Sequence, residues 1–106
     1  MGRPCPTAPR PAGTRDAYES IFSGLAHPAR RRILMTLNFE GGSMAAGAIA
    51  GLFRHSWPTT TRHLRVLEAS GLLRVTRLGR SRTYHIERRG LALVRDWIAW
   101  FFKPAG

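Results

Sequence analysis

Apolar residues recur every three or four positions over most of this chain and at every second position in one stretch near residue 80. Those two periods predict helices and a hairpin. From about Asp16, Tyr18, Ile21, Phe22 and Leu25 form one stripe, with Asp16 and Glu19 in the expected first turn. That helix should end at His27, because Pro28 disfavours helical geometry before it and suits the start of a second helix, Pro28 to Phe39. Ile33, Leu34 and Leu37 are its expected buried stripe, and Arg30, Arg31 and Arg32 crowd its start. Cations oppose the macrodipole there, so they call for solvent, an acidic neighbour or a phosphate.

The Gly41-Gly42 pair breaks the chain, and Ser43 is placed to cap a third helix, Met44 to Phe53, with Ala45, Ala48, Ile49, Leu52 and Phe53 as its apolar face. Arg54 and His55 are read as a turn. Ser56 then caps a fourth helix running to Gly71, in which Thr60, Leu64 and Leu67 share one face while Pro58, Thr61, Arg62, Arg65 and Ala69 share the other. One face is core and the other is offered outward. After Gly71 the period drops to two: Leu73, Val75, Tyr84 and Ile86 alternate with Arg74, Thr76, Thr83 and His85, predicting a β-hairpin with its tip at Leu78-Gly79-Arg80-Ser81. Arg77, Arg80 and Arg82 crowd that tip, either as a solvated charged edge or, as the adjacent basic helix favours, as a clamp on a phosphate backbone. A last helix, Arg88 to Phe102, carries apolar residues around most of its circumference. A second subunit is the simplest cover for it, since few cations flank it as a membrane anchor would require.

Residues 1–14, with four of the seven prolines, are expected to be a disordered arm, and residues 15–106 one domain. Cys5 in that arm is the only cysteine, so no intramolecular disulfide forms and a reduced, cytoplasmic setting is expected. No run reaches the roughly 18 apolar residues that span a bilayer.

Charge changes the picture most. The 106 residues carry a formal net charge of +11, and of 17 basic residues all but Lys103 are arginine, the side chain suited to forked contacts with phosphate and guanine. Nucleic acid is therefore the expected partner. An enzyme fits poorly: six carboxylates are scattered, and no Ser/His/Asp or Cys/His grouping or glycine-rich phosphate loop stands out. A non-specific nucleic-acid-binding protein is the main alternative, and a protein-binding module that reuses the same architecture is a third.

The order of elements, mainly α with a small β-hairpin, reads as a winged helix-turn-helix (helix, helix, helix, helix, strand, strand, helix). Two runs add a resemblance. Gly24-Leu25-Ala26-His27-Pro28-Ala29-Arg30-Arg31-Arg32-Ile33-Leu34 resembles the opening signature of the ArsR/SmtB family of bacterial repressors. Ser56-Trp57-Pro58-Thr59-Thr60-Thr61-Arg62-His63-Leu64-Arg65-Val66-Leu67, followed by Ala69-Ser70-Gly71-Leu72-Leu73, resembles that family's recognition helix and its exit into the wing. The resemblance covers about Tyr18 to Phe102. It implies a homodimeric, sequence-specific repressor of double-stranded DNA whose first and last helices form the interface, here Tyr18, Ile21, Phe22, Leu91, Val94, Trp97, Ile98 and Phe101.

Metal sensing is not expected. Where thiolate-type sensors carry Cys-x-Cys in the third helix this chain has Ala45 and Gly47, and after His85 there is no histidine and Asp96 stands alone as a carboxylate on the terminal helix. No cofactor is expected, and a small-molecule effector, if there is one, is not named by the sequence. His27 stands where the family more often has an aspartate cap, so the second helix is expected to be less well capped. Base reading is assigned to Ser56, Trp57, Thr59, Thr61 and Arg62 on the leading turns, with Trp57 alternatively a lid on the turn. Phosphate contact is assigned to Arg65, Arg77, Arg80 and Arg82 and to His63, which alternatively packs beside Leu67.

Overall fold

A computed structural model describes residues 12–53 and 56–104. Most of the predicted arm, including Cys5, and the Arg54–His55 turn lie outside the described residues. Helices α1 (Ala12–Leu25), α2 (Pro28–Phe39), α3 (Ala46–Leu52), α4 (Trp57–Ala69) and α5 (Arg88–Ala99) surround a sheet of strands β1 (Ser43–Ala45), β2 (Leu73–Leu78) and β3 (Ser81–Ile86). A single 3-10 turn, Trp100–Phe102, prolongs α5.

Helix α1 begins at Ala12 rather than near Asp16, so 12–14 belong to it and no acidic residue occupies its first turn. The predicted bounds of α2 are those observed, and Ala29 joins Ile33, Leu34 and Leu37 in its buried stripe. His27 corrects the expectation of a poor cap: its Nδ1 accepts the Ala29 N–H at 3.1 Å. An imidazole lone pair here does what a capping carboxylate oxygen does, satisfying a donor that has no intrahelical partner.

The sheet holds three strands, not two. Ser43, Met44 and Ala45 pair antiparallel with His85, Tyr84 and Thr83, so β3 lies between β1 and β2. Consequently α3 is shorter than predicted, Ser43 does not cap it, and no side chain caps the N-terminal end at Ala45. Its buried residues are Ala46 and Ile49, whereas Ala45, Ala48 and Leu52 are exposed. The hairpin register runs from Leu73 opposite Ile86 to Leu78 opposite Ser81, leaving a two-residue turn, Gly79-Arg80.

Leu37, Ile49, Leu64, Leu67, Leu72 and Tyr84 meet in one core, which seats α4 against the sheet and α2. Helix α4 closes in a Schellman motif: Gly71, at φ +84°, donates to the Glu68 carbonyl at 3.1 Å and Leu72 to the Leu67 carbonyl at 3.0 Å. The Gly71 carbonyl lies directly beneath Gly90 in the first turn of α5, where a Cβ would collide with it. Backbone cannot yield as a flexible side-chain end does. Gly90→Ala is therefore expected to cost about 1–3 kcal/mol, the usual range for overpacking, read as a lowered urea midpoint.

Candidate nucleic-acid interface

Ser56 sets the start of α4. Its Oγ accepts the Thr59 N–H at 3.3 Å and donates to Thr59 Oγ1 at 3.0 Å, so the hydroxyl assigned to base reading is engaged in the cap. Thr59 keeps its own hydroxyl proton to donate outward. On the inner face Thr60, His63, Leu64 and Leu67 are buried. On the outer face Trp57, at 45 % exposure, joins Pro58, Thr61, Arg62 and Arg65 around an open depression of about 370 Å³. Trp57 thus forms part of the outward surface rather than a closed lid. Thr61 Oγ1 is shielded from solvent without a hydrogen-bond partner among the described residues, leaving its donor and acceptor capacity unspent beside the two arginines.

His63 leaves the phosphate set. It is 7 % exposed, its ring centroid 4.5 Å from that of His27, and its Nδ1 lies 3.4 Å from Arg30 Nη1. Arginine only donates, so that nitrogen accepts. A side chain so enclosed cannot reach a strand passing outside α4. His63 instead takes the packed alternative, joining α4 to the start of α2.

Arg30 also resolves why cations stand at the start of α2. Its Nε donates to the Gly24 carbonyl at 2.8 Å and its Nη2 to the Ser23 carbonyl at 3.2 Å, while Arg31 Nη1 donates to the Leu25 carbonyl at 2.6 Å. These are the final carbonyls of α1, at the negative end of its dipole; that of Ser23 also accepts the Ala26 N–H at 3.2 Å. Solvent, one of the three expected reasons, applies to the exposed Arg31, and both arginines have in addition a partner that was not expected, a neighbouring helix end. Arg30→Ala should lose about 1.5–3 kcal/mol, the worth of hydrogen bonds to a charged group, measured as a drop in unfolding free energy. A change below about 0.5 kcal/mol would mean that the guanidinium does not tie these helices together.

In the wing, Arg77 lies directly opposite Arg82, and Arg80 occupies the turn. Like charges face to face destabilise a hairpin unless an anion lies between or beside them. Strand parity puts Arg77 and Arg82 on the face of Tyr84 and Ile86, past the edge of the core. On the other face His85 bridges all three strands, with Nδ1 2.7 Å from Ser43 Oγ and Nε2 2.9 Å from Thr76 Oγ1. This three-strand clasp follows from β1, which the sequence reading lacked. Among the described residues the ion pair is Arg95 with Asp96, exposed at 3.2 Å, and no carboxylate lies within 4 Å of Arg62, Arg65, Arg77, Arg80 or Arg82.

The expected interface residues divide. Ile21 is 2 % exposed and belongs to the chain's own core, which removes it from any intersubunit surface. Tyr18 stacks on Phe22 at 6.3 Å, Phe22 meets Trp97 edge-on at 4.9 Å, and Trp97 meets Phe101 at 5.0 Å, zipping α1 to α5 within one chain. Leu91 and Val94 are half-buried against the core, while Trp97, Ile98 and Phe101 remain exposed. Met35, Phe39, Trp100 and Phe102 are also exposed; of these the sequence reading put only Trp100 and Phe102 among the apolar residues of a helix, and none in the interface set. Among the described residues no three of His, Cys, Asp and Glu gather as a metal-holding group. No helix there is long and apolar enough to cross a membrane.

Residues 25–76, from the end of α1 to the middle of β2, match the helix-turn-helix domain family. The transcriptional repressor SdpR of Bacillus subtilis (strain 168) is 32% identical over 84 residues, 79% of this chain and 88% of that protein. The crystal structure of the ArsR family transcriptional regulator RHA00566 superposes with a TM-score of 0.72 at 33% identity, over 80% of this chain and 86% of that one. The chain belongs to the ArsR family of winged helix-turn-helix regulators. Its α3 and α4 are the helix-turn-helix and its β2–β3 hairpin the wing. A further similar structure is the homodimeric winged helix-turn-helix DNA-binding domain Mb0332 from Mycobacterium bovis, a possible ArsR-family regulator. It has 25% identity and a TM-score of 0.67 over 96% of each chain.

Proposed function

We propose that this ArsR-family chain is a homodimeric repressor that binds a pseudo-palindromic operator in double-stranded DNA. The observation that carries the proposal is the division of α4, whose inner face is locked into the core while its outer face offers Trp57, Thr61, Arg62 and Arg65, with no carboxylate within 4 Å of either arginine among the described residues. Rigid seating matters because base recognition needs side chains held in register with the groove. Arg62 forks onto guanine, Thr59 exchanges one hydrogen bond with a base edge, Thr61 meets a thymine methyl, and Trp57 packs beside them. Arg65 together with Arg77, Arg80 and Arg82 of the wing holds phosphate and sets register without reading sequence. Two copies related by a two-fold axis would present their α4 helices about 34–36 Å apart, one turn of the duplex. The homodimeric state of the Mycobacterium bovis domain supports that assembly.

The reading includes no resident metal, because Ala45 and Gly47 cannot ligate and Asp96 is a lone carboxylate on α5. Operator affinity should accordingly be unchanged by a chelator or by added zinc; a shift of tenfold or more in a binding titration would contradict this. The whole proposal is tested by recovering genomic fragments bound to the protein and titrating the enriched sequence against random duplex by fluorescence anisotropy at physiological salt. A repressor should prefer the enriched sequence by about 10³ or more. Equal affinity for both would instead favour non-specific nucleic-acid binding, which the +11 charge alone could support.

A further inference from the structure

One stripe of α2 takes no part in the nucleic-acid face. Arg31, Leu34, Met35 and Asn38 fall at the i, i+3, i+4, i+7 spacing of a single helix side, with two apolar residues between two polar ends. Leu25 at the end of α1, Ile86 at the end of β3 and Leu91 near the start of α5 close the apolar middle into a depression of about 260 Å³. Leu34 and Ile86 are buried and form its floor, while Met35, 54 % exposed, is a flexible wall that can re-pack around an occupant. An apolar cavity of roughly 150 Å³ holds a benzene ring, so this one has room for a ring with a short chain.

The mouth decides what the polar end of such an occupant must be. Arg31 Nη1 is anchored on the Leu25 carbonyl at 2.6 Å, which holds the guanidinium at one end of the depression with the rest of its fork unspent. No carboxylate lies within 4 Å of it among the described residues. Asn38 closes the other end with a neutral amide, so the Arg31 end alone sets the preferred charge. A second copy of this chain is a poor match for that mouth, since it carries six carboxylates against 17 basic residues. A small anion with an apolar body matches both parts.

We infer that the depression between α2 and the start of α5 is a binding site for a small apolar carboxylate, its body over Leu34, Met35 and Ile86 and its carboxylate on the fork of Arg31. The pairing is charge-assisted and has the planar geometry that guanidinium and carboxylate share. A bound acid also lies against the helix that seats the DNA-facing surface, because Arg30, next to Arg31, has its Nη1 3.4 Å from His63 Nδ1 of α4. The site thereby gives α4 a contact path to a ligand held on the far side of α2.

Three probes of one shape and different charge test the site: 3-phenylpropanoate, 3-phenylpropanamide and 3-phenylpropylamine, titrated into the full chain without DNA and followed by calorimetry and by methyl NMR. The carboxylate should saturate and shift the Met35 and Ile86 methyl signals while that of Met44, in β1, stays in place. The amide and the amine should bind about tenfold more weakly or less. Arg31→Gln should weaken the carboxylate by about tenfold and leave the amide unchanged, whereas Arg89→Gln, an equal loss of charge at an exposed place on α5, should leave all three within about twofold. Met35→Trp should fill the depression and abolish binding of carboxylate and amide alike. Absence of saturation by the carboxylate at about 10 mM, or equal affinity for the three probes, overturns the inference. So does a depression already filled by a second copy, seen as Met35 and Ile86 signals that move on dilution of the protein and not on addition of the probe. Because no DNA is present, each of these outcomes is independent of operator binding.

Discussion

Phe101→Arg is expected to convert the protein to a monomer in sedimentation velocity and to weaken binding to a two-half-site operator by about 10²–10⁴-fold, while affinity for an isolated half-site stays within a few-fold of the parent. The large effect arises because joining two binding units makes the second contact intramolecular. The isolated half-site isolates the cause, since α4 and the wing are untouched by a change at the end of α5. Phe101 is a better position for this test than Trp97. An arginine at 97 would face Phe22, 4.9 Å away in the same chain, and would loosen α1 from α5 whatever the partner does. At 101 the ring is mostly in solvent, so the folded monomer loses little. A dimer that survives Phe101→Arg would place the interface elsewhere.

Arg62→Ala carries the second large effect, a loss of about 1–3 kcal/mol on the operator with relaxed preference at one base pair. Arg62 is exposed on the second turn of α4, without a carboxylate within 4 Å among the described residues, so no internal contact is broken by removing it. The companion change Arg80→Ala, in the turn of the wing, should weaken operator and random duplex alike and flatten the salt dependence by about one unit. The two are told apart by pattern rather than size. If both variants lost equally on operator and random DNA, the division between a reading helix and a holding wing would be wrong.

Much of this interface follows from local rules. Ser56 before a proline at the second helical position marks the start of α4, and the buried places of Thr60, Leu64 and Leu67 follow from the helical period. Strand β1 escaped the same rules because three residues are too few to display a period of two. Their extended shape comes from hydrogen bonds to Thr83 through His85, some forty residues away. Ile21 and Phe22 adjoin on one apolar stripe, and only the position of α2 and α4 puts the first in the core and leaves the second for Trp97.

The sequence by itself determined the winged helix-turn-helix, the outward basic face of α4 and the arginines of the wing. All of these rest on spacing within one element or on the conformational limits of proline and glycine. Tertiary structure decided the rest: that His63 is enclosed, that His27 serves as a cap, that Arg30 and Arg31 hold the end of α1, and that Trp97 packs between Phe22 and Phe101. The physical reason is common to these cases. A helix period states which residues share a face, whereas the partner of a polar group is set by whichever distant backbone carbonyl or ring the packing brings within about 3 Å of it.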